Sequence, residues 1–373
     1  MNAVERIACV YRVEAGADAI EARAQALALE QSVELPLAAI GDARIRERVA
    51  GRVEAIEPAA HGEAAWSVTI GLAASTTGAD PGQLMNMLFG NASLQPDVSL
   101  VDARLPASLL QAFPGPAFGV EGLRALAGAG ARPMSCTALK PQGLAPDALA
   151  QLAGTFALAG IDLIKDDHGI ADQPSAPFAQ RVPAIQRAVL RANAATGGAS
   201  VYAPSVSGGP GAIARQMRVA RDEGVRCVLA CPMVLGVSAF AELVRAEGDV
   251  AILAHPSLAG AGRIAPALLL GKLFRLFGAD ATIFPNFGGR FSYSRATCQA
   301  IARAAREPMG ALRPAMPVPA GGMRVERVEE MVAQFGHDCM LLIGGNLLEA
   351  GAAMPERARA FAQAVRGQRA AAA

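Results

Sequence analysis

The sequence predicts an α/β protein: a (β/α)8 TIM barrel preceded by an N-terminal α+β domain. Three observations carry that prediction. From about residue 132 onward one unit recurs, a short β-rich apolar run with a polar or glycine-rich end, then a longer alanine-rich segment with helical periodicity. Eight such units in about 240 residues match the size and rhythm of a barrel of this kind. Residues 1–125 lack the rhythm and read as a separate domain, which leaves 126–373 for the barrel.

The elements follow in chain order. Residues 6–13 alternate like a strand, 19–32 space their apolar side chains as a helix does, and 52–72 read as two strands joined by a turn around His61-Gly62. The eight barrel runs are 133–140, 162–167, 200–207, 226–234, 250–257, 281–286, 316–322 and 339–345. Helical spacing fills 146–159, 181–194, 211–223, 263–277, 294–306 and 324–335. The first of these opens on Pro146, whose fixed φ and missing N–H suit the first helical position. The last helix is expected to end near Arg366, with 367–373 frayed.

Composition excludes several classes of function. With 52% hydrophobic and 5% aromatic residues among 373, the chain has the material for a large buried core, not for disorder. Its net charge is +1, and 31 arginines are scattered among 33 acids, so no basic stripe announces a nucleic-acid partner. Residues 1–13 carry Glu5, Arg6 and Arg12 and lack the apolar core of a signal peptide. The most hydrophobic stretch, 227–241, is short and holds Pro232 and Gly236, which argues against a membrane span. A cytoplasmic protein is expected. The six cysteines show no paired metal spacing and imply no disulfide framework; Cys227 and Cys231 are read as packing.

Lysine is scarce, three residues against thirty-one arginines, and two of the three, Lys140 and Lys165, close apolar runs. A lysine amine can lose its proton, act as base or nucleophile, or take up CO2 as a carbamate, whereas arginine stays protonated. Catalytic groups in such barrels gather at the C-terminal ends of the strands. The second run ends in Lys165-Asp166-Asp167-His168, where strand alternation puts Lys165 and Asp167 on one side and Asp166 on the other. A lysine carbamate, a carboxylate and an imidazole so placed can form a facial divalent-metal site; the plainer reading is a solvated acidic loop with a paired lysine. His255 closes the fifth run, as a catalyst or as a satisfied core residue. The sixth leads to Phe284-Pro285-Asn286-Phe287-Gly288-Gly289-Arg290-Phe291, a glycine-rich loop with one cation, expected to act as a mobile lid that grips an anion. Gly321-Gly322 and Gly344-Gly345 close the seventh and eighth runs, where backbone amides can approach a phosphate. His337-Asp338 precedes the eighth run and is read as structural.

Together these strand ends resemble the RuBisCO large chain, and more closely the RuBisCO-like proteins that share its fold without fixing CO2. The most specific segment is Gly160-Ile161-Asp162-Leu163-Ile164-Lys165-Asp166-Asp167, which is similar to the family's carbamylated-lysine segment. The resemblance implies a carbamate from CO2 on Lys165, a Mg2+ site from Lys165, Asp167 and His168, an acid/base role for Lys140, a catalytic His255, and phosphate binding at Gly321, Gly322, Gly344 and Gly345. It further implies a homodimer in which Glu30 and Asn86 reach the neighbouring subunit's site. Five departures matter. His168 stands where the family has Glu, which lowers the site's negative charge and turns it toward softer metals such as Mn2+ or Zn2+. Arg290 and Gln142 replace lysines, Pro256 replaces a phosphate-binding arginine, and Ala320 lacks the expected serine hydroxyl. Ribulose bisphosphate carboxylation is therefore not expected. What the resemblance leaves is enediolate chemistry on a phosphorylated sugar or sugar acid. With Arg290 available to hold a carboxylate, the expectation is a decarboxylase of a 3-oxo-isoapionate 4-phosphate-like substrate. The alternatives are a 5-methylthioribulose-1-phosphate isomerase, a methionine-salvage enolase, and a non-catalytic phosphometabolite-binding relative. The enolase is disfavoured because its base is a lysine of the first domain, and here no lysine precedes Lys140.

Overall fold

The structure, a computed structural model, describes residues 4–59, 65–291 and 293–368. The turn around His61-Gly62 and the last five residues of the tail lie outside them. The chain divides into two compact units, one made of 1–113, 259–269 and 309–311, the other of 114–258, 270–308 and 312–373.

The first unit is built on an antiparallel sheet of β1 (Arg6–Glu14), β2 (Arg52–Pro58), β3 (Ala65–Ala73) and β4 (Val98–Arg104), in the order β2-β3-β1-β4. Ile7, Cys9, Tyr11 and Val13 of β1 are buried while their neighbours are partly exposed, the period-two signature of a sheet covered on one face. The helix Ile20–Glu30 supplies Ala24, Leu27 and Ala28 to the core. β4 was not among the strands read from the sequence; its short run Val-Ser-Leu-Val-Asp-Ala-Arg finds its place by pairing with β1.

The second unit carries eight parallel strands: β5 (Met134–Leu139), β6 (Leu163–Asp166), β7 (Val201–Ala203), β8 (Cys227–Ala230), β9 (Ala251–Ala254), β10 (Ala281–Pro285), β11 (Met316–Ala320) and β12 (Met340–Ile343). Their order is β7-β6-β5-β12-β11-β10-β9-β8. The ring closes through a parallel bridge between Ser205 and Leu229, where the Leu229 amide donates to the Pro204 carbonyl at 2.8 Å and the Val206 amide to the Leu229 carbonyl at 2.9 Å. The predicted barrel is therefore present.

Alternate residues of these strands fill the interior: Met134 and Cys136, Cys227 and Leu229, Ala251 and Leu253, Ala281 and Ile283, Met316 and Val318, Met340 and Leu342. Cys136 and Cys227 thus behave as buried strand residues, small hydrophobes as expected. The entry ends of the strands are fixed by buried carboxylates. Asp280 accepts from the amides of Phe118, Gly119 and Ile252 at 2.6, 2.9 and 2.8 Å. Asp162 takes both guanidinium nitrogens of Arg132 at 2.7 Å and the Ser135 amide at 2.8 Å. His337 and Asp338 serve the same end, where Arg124 donates to the His337 carbonyl and to Asp338.

One predicted helix is different in kind. The periodicity of 263–277 suggests an ordinary α-helix, but Ala267–Leu273 is a π-helix that tightens into Phe274–Leu276. A β-carbon at Gly271 would stand 2.6 Å from that of Ala304, so glycine lets this wider turn approach the helix Arg295–Arg306.

Candidate active site

The site forms where β5, β6 and β9 end. Leu163 and Lys165 share a face of β6, so burying Leu163 in the barrel interior carries Lys165 in with it; Lys165 is 3% exposed. Its ammonium donates to the Asp166 carbonyl at 3.0 Å. Burial pushes this amine's pKa down from the ordinary lysine value, against the nearby acidic groups that raise it. Asp166 faces outward and is fully consumed: it accepts from Arg181 Nε at 3.0 Å, from the Tyr202 hydroxyl at 2.9 Å and from the Ser205 amide at 3.0 Å.

Asp167, just past β6, is the centre of the cluster. Lys140 Nζ, at the end of β5, lies 2.5 Å from its Oδ1, and His168 Nδ1 lies 3.5 Å from the same oxygen. Burial raises the carboxyl's pKa, but hydrogen bonds from His168 and Lys140 and the charge on Lys165 outweigh it and hold it well below the usual carboxylate range. The His168 ring stacks on that of His255, with centroids 4.1 Å apart and planes at 11°. Burial, then the charge on Lys165, pushes the His255 imidazole down to about 2, so it is neutral in ordinary buffers. The Ser257 amide donates to His255 Nδ1 at 3.3 Å, which leaves the ring proton on Nε2. The Ser257 hydroxyl, 2.9 Å from the same nitrogen, completes the support.

Of the residues singled out from the sequence, the fold therefore joins Lys140, Lys165, Asp167, His168 and His255. The glycines stand at neighbouring strand ends. Gly321 and Gly322 adopt φ of +100° and +64° directly after β11, and Gly344 and Gly345 open the short helix Gly345–Leu348 after β12. Arg290 is exposed on the loop after β10, its guanidinium 5.7 Å above the Phe291 ring. Glu30 and Asn86 belong to the first unit. Glu30 accepts from Asn91 Nδ2 at 2.9 Å, and Asn86 is exposed on the helix Pro81–Phe89. Three participants were not anticipated. Ser257 was legible as a hydroxyl two residues after His255. Phe287 and Arg327, which anchor the glycine loop, carried no signal beyond being one aromatic and one of many arginines.

The donor chemistry sets a condition on any metal. Among the described residues no three His, Cys, Asp or Glu side chains come together as a metal site. Asp167 and His168 supply one carboxylate and one imidazole, and a third donor arises only if Lys165 becomes a carbamate. Burial lowers the Lys165 amine's pKa, which favours loss of the proton that must leave before CO2 can add, so the residues fit a divalent cation on that condition.

Comparison with known proteins agrees with this architecture. Residues 119–370 match the family described as ribulose bisphosphate carboxylase large chain, catalytic domain. The chain is 55% identical to ribulose bisphosphate carboxylase-like protein 1 of Rhodopseudomonas palustris, over 97% of this chain and 98% of the relative. It is 52% identical to a protein of Rhodospirillum rubrum named 5-methylthioribulose-1-phosphate isomerase, over 97% of each chain. A crystal structure of a Rubisco-like protein from Rhodopseudomonas palustris superposes with a TM-score of 0.91 at 50% identity, covering 99% of this chain and 100% of the other. With the lysine-aspartate-histidine cluster seated at the strand ends of an eight-stranded barrel, the chain belongs to the RuBisCO large-chain family and is a RuBisCO-like protein.

Proposed function

We propose that the chain is an isomerase that moves a proton along a phosphorylated ketose of the 5-methylthioribulose-1-phosphate type. One observation carries the reading: Lys140, Asp167, His168 and His255 share one contact cluster beside buried Lys165. Isomerisation needs a proton taken from one carbon and returned at another, hence acid/base groups of different character within reach of one substrate. Lys140 Nζ, set by Asp167, moves the first proton. His255, neutral and oriented through Nδ1 by Ser257, holds or returns one at Nε2. The amides of Gly321, Gly322, Gly344 and Gly345 hold the phosphate. Lys165 as a carbamate, with Asp167 and His168, would hold Mg2+ or Mn2+; a cation bound there supplies positive charge beside a developing oxyanion. The isomerase named in Rhodospirillum rubrum supports this substrate class over a sugar acid. The assembly in this reading is a homodimer, with Glu30 and Asn86 directed to the neighbouring subunit's site.

A second reading, decarboxylation of a phosphorylated sugar acid such as a 3-oxo-isoapionate 4-phosphate-like compound, is favoured by the exposed Arg290 cation on the loop after β10. The experiment is an NMR assay in D2O with 5-methylthioribulose 1-phosphate and a panel of phosphorylated sugar acids, with and without Mg2+, Mn2+ and bicarbonate. The expected result is an isomerised ketose phosphate carrying solvent deuterium. Release of CO2 from a sugar acid instead establishes the second reading. Phosphate-ester binding without exchange or turnover overturns both and leaves a non-catalytic binding protein.

A further inference from the structure

The glycine loop after β10 is not free. The Asn286 amide extends the β10–β11 ladder by donating to the Ala320 carbonyl at 2.8 Å. Beyond it the loop backbone lies on the Gly321-Gly322 turn. A β-carbon at Gly322 would stand 2.5 Å from the Gly288 carbonyl oxygen and 2.9 Å from the Gly289 nitrogen, and one at Gly289 would stand 3.0 Å from the Gly321 carbonyl carbon. Two glycine pairs are thus in main-chain contact, which no other residue type permits at that spacing.

Side chains hold the contact from behind. Phe287, 9% exposed, packs toward the buried Phe335 ring at 6.3 Å. The Arg295 and Arg327 guanidiniums lie 4.3 Å and 5.2 Å from the centroid of the Phe287 ring. Arg327 Nη1 donates to the Gly322 carbonyl at 3.0 Å, and its Nε donates to Glu330 at 2.9 Å. Glu330 also accepts from Arg295 at 2.9 Å. One guanidinium therefore bonds the turn after β11 while stacking on the loop after β10, and Glu330 fixes it to the helix Val328–Phe335.

We propose that Arg327 is a positioning residue that, through Phe287, locks the Phe287–Arg290 loop onto the Gly321-Gly322 turn and so preassembles the anion site. In this proposal the loop expected from the sequence to be a mobile lid is instead a fixed wall of that site, and exposed Arg290 follows an anchored base. The inference rests on the reading of Gly321-Gly322 as phosphate-binding, but not on isomerase activity. Preassembly removes the ordering of several glycine-containing residues from the act of binding, and that is where its effect on affinity comes from.

The test compares the full-length protein with Arg327→Met, Arg327→Lys and Phe287→Leu. Hydrogen exchange of the 287–291 segment is followed beside calorimetric titration with inorganic phosphate and with 5-methylthioribulose 1-phosphate. Arg327→Met is expected to speed exchange of the segment about tenfold and weaken binding of both ligands about tenfold. Where turnover is measurable, KM rises while kcat changes less than about twofold. Arg327→Lys, which can keep the bond to Gly322, is expected to recover part of both effects. Faster exchange with unchanged affinity overturns the proposal, as does unchanged exchange, or a wild-type protein that binds neither ligand. Phosphate binding that follows the clamp, without turnover of the ketose phosphate, overturns the isomerase reading and leaves this one standing.

Discussion

Replacing Asp166 by alanine is expected to destabilise the barrel severely, although Asp166 touches no substrate. Asp166 and Arg181 form an ion pair at 3.0 Å with both side chains at 0% exposure. The carboxylate also takes the Tyr202 hydroxyl and the Ser205 amide, so the substitution strips three donors of their acceptor at once. The guanidinium keeps its Nη1 bonds to the Ala171 and Ala176 carbonyls at 2.7 and 2.6 Å, but its charge stays buried and uncompensated. Removing one partner of a buried pair costs about 3–5 kcal/mol, mostly through that stranded charge. Asp166→Leu combined with Arg181→Met removes both charges and should recover the part of the loss that comes from the stranded charge, while the Tyr202 hydroxyl, the Ser205 amide and the Ala171 and Ala176 carbonyls stay without their partners. The assay is urea unfolding followed by far-UV circular dichroism and by fluorescence of Trp66. That single tryptophan lies in β3 and reports the first unit, so the dichroism midpoint should fall further than the fluorescence midpoint. A loss below about 1 kcal/mol for Asp166→Ala, or a double variant no better than the single, would refute the reasoning.

Four further outcomes are expected. Lys165→Arg should abolish bicarbonate-dependent turnover, by at least about a hundredfold, while leaving the dichroism spectrum intact, because a guanidinium cannot form the carbamate; retained activity would remove Lys165 from the chemistry. Gly322→Ala should cost about 1–3 kcal/mol and weaken phosphate binding, since φ is +64° and the Gly288 carbonyl occupies the space of a β-carbon; unfolding and phosphate titration check both. Hydrogen bonds from Arg23 hold the Asp97 carboxyl below the usual carboxylate range, so this pair stabilises above the unfolded carboxyl's pKa of about 3.9 and the contribution is lost as pH falls through the lower folded value. It is partly exposed and amounts to less than about 1 kcal/mol, so Asp97→Asn should lower stability modestly at pH 7 and not at pH 2, measured by urea midpoints. All six cysteines are buried, and burial raises the thiol pKa of each, so a thiol-specific aromatic disulfide at pH 8 should label fewer than about one per folded chain and all of them in denaturant.

Much of the site was legible because its signals are local. Eight repeats of apolar run, polar end and helical segment specify a barrel, and the barrel specifies which ends of the runs face one another. Scarce lysines at two of those ends marked the candidate site, and strand alternation separated Lys165 and Asp167 from Asp166. The carboxylate of Asp166 turned out to serve Arg181, Tyr202 and Ser205, partners 15 to 39 residues away that no local pattern could name. The same holds for β4, whose strand character comes from its pairing with β1.

The sequence by itself determined the architecture, the family and the set of ionisable groups at the strand ends, because periodicity and residue type act over a few neighbouring positions. Only the tertiary structure decided how those groups are tuned. The 2.5 Å contact between Lys140 and Asp167, the stacking of His168 on His255 and the burial of Lys165 arise from strands far apart in the chain that the barrel brings together. The glycine loop makes the same point: its composition names no partner, whereas the fold sets Phe287 against Arg295 and Arg327 and lays the loop backbone on the Gly321-Gly322 turn.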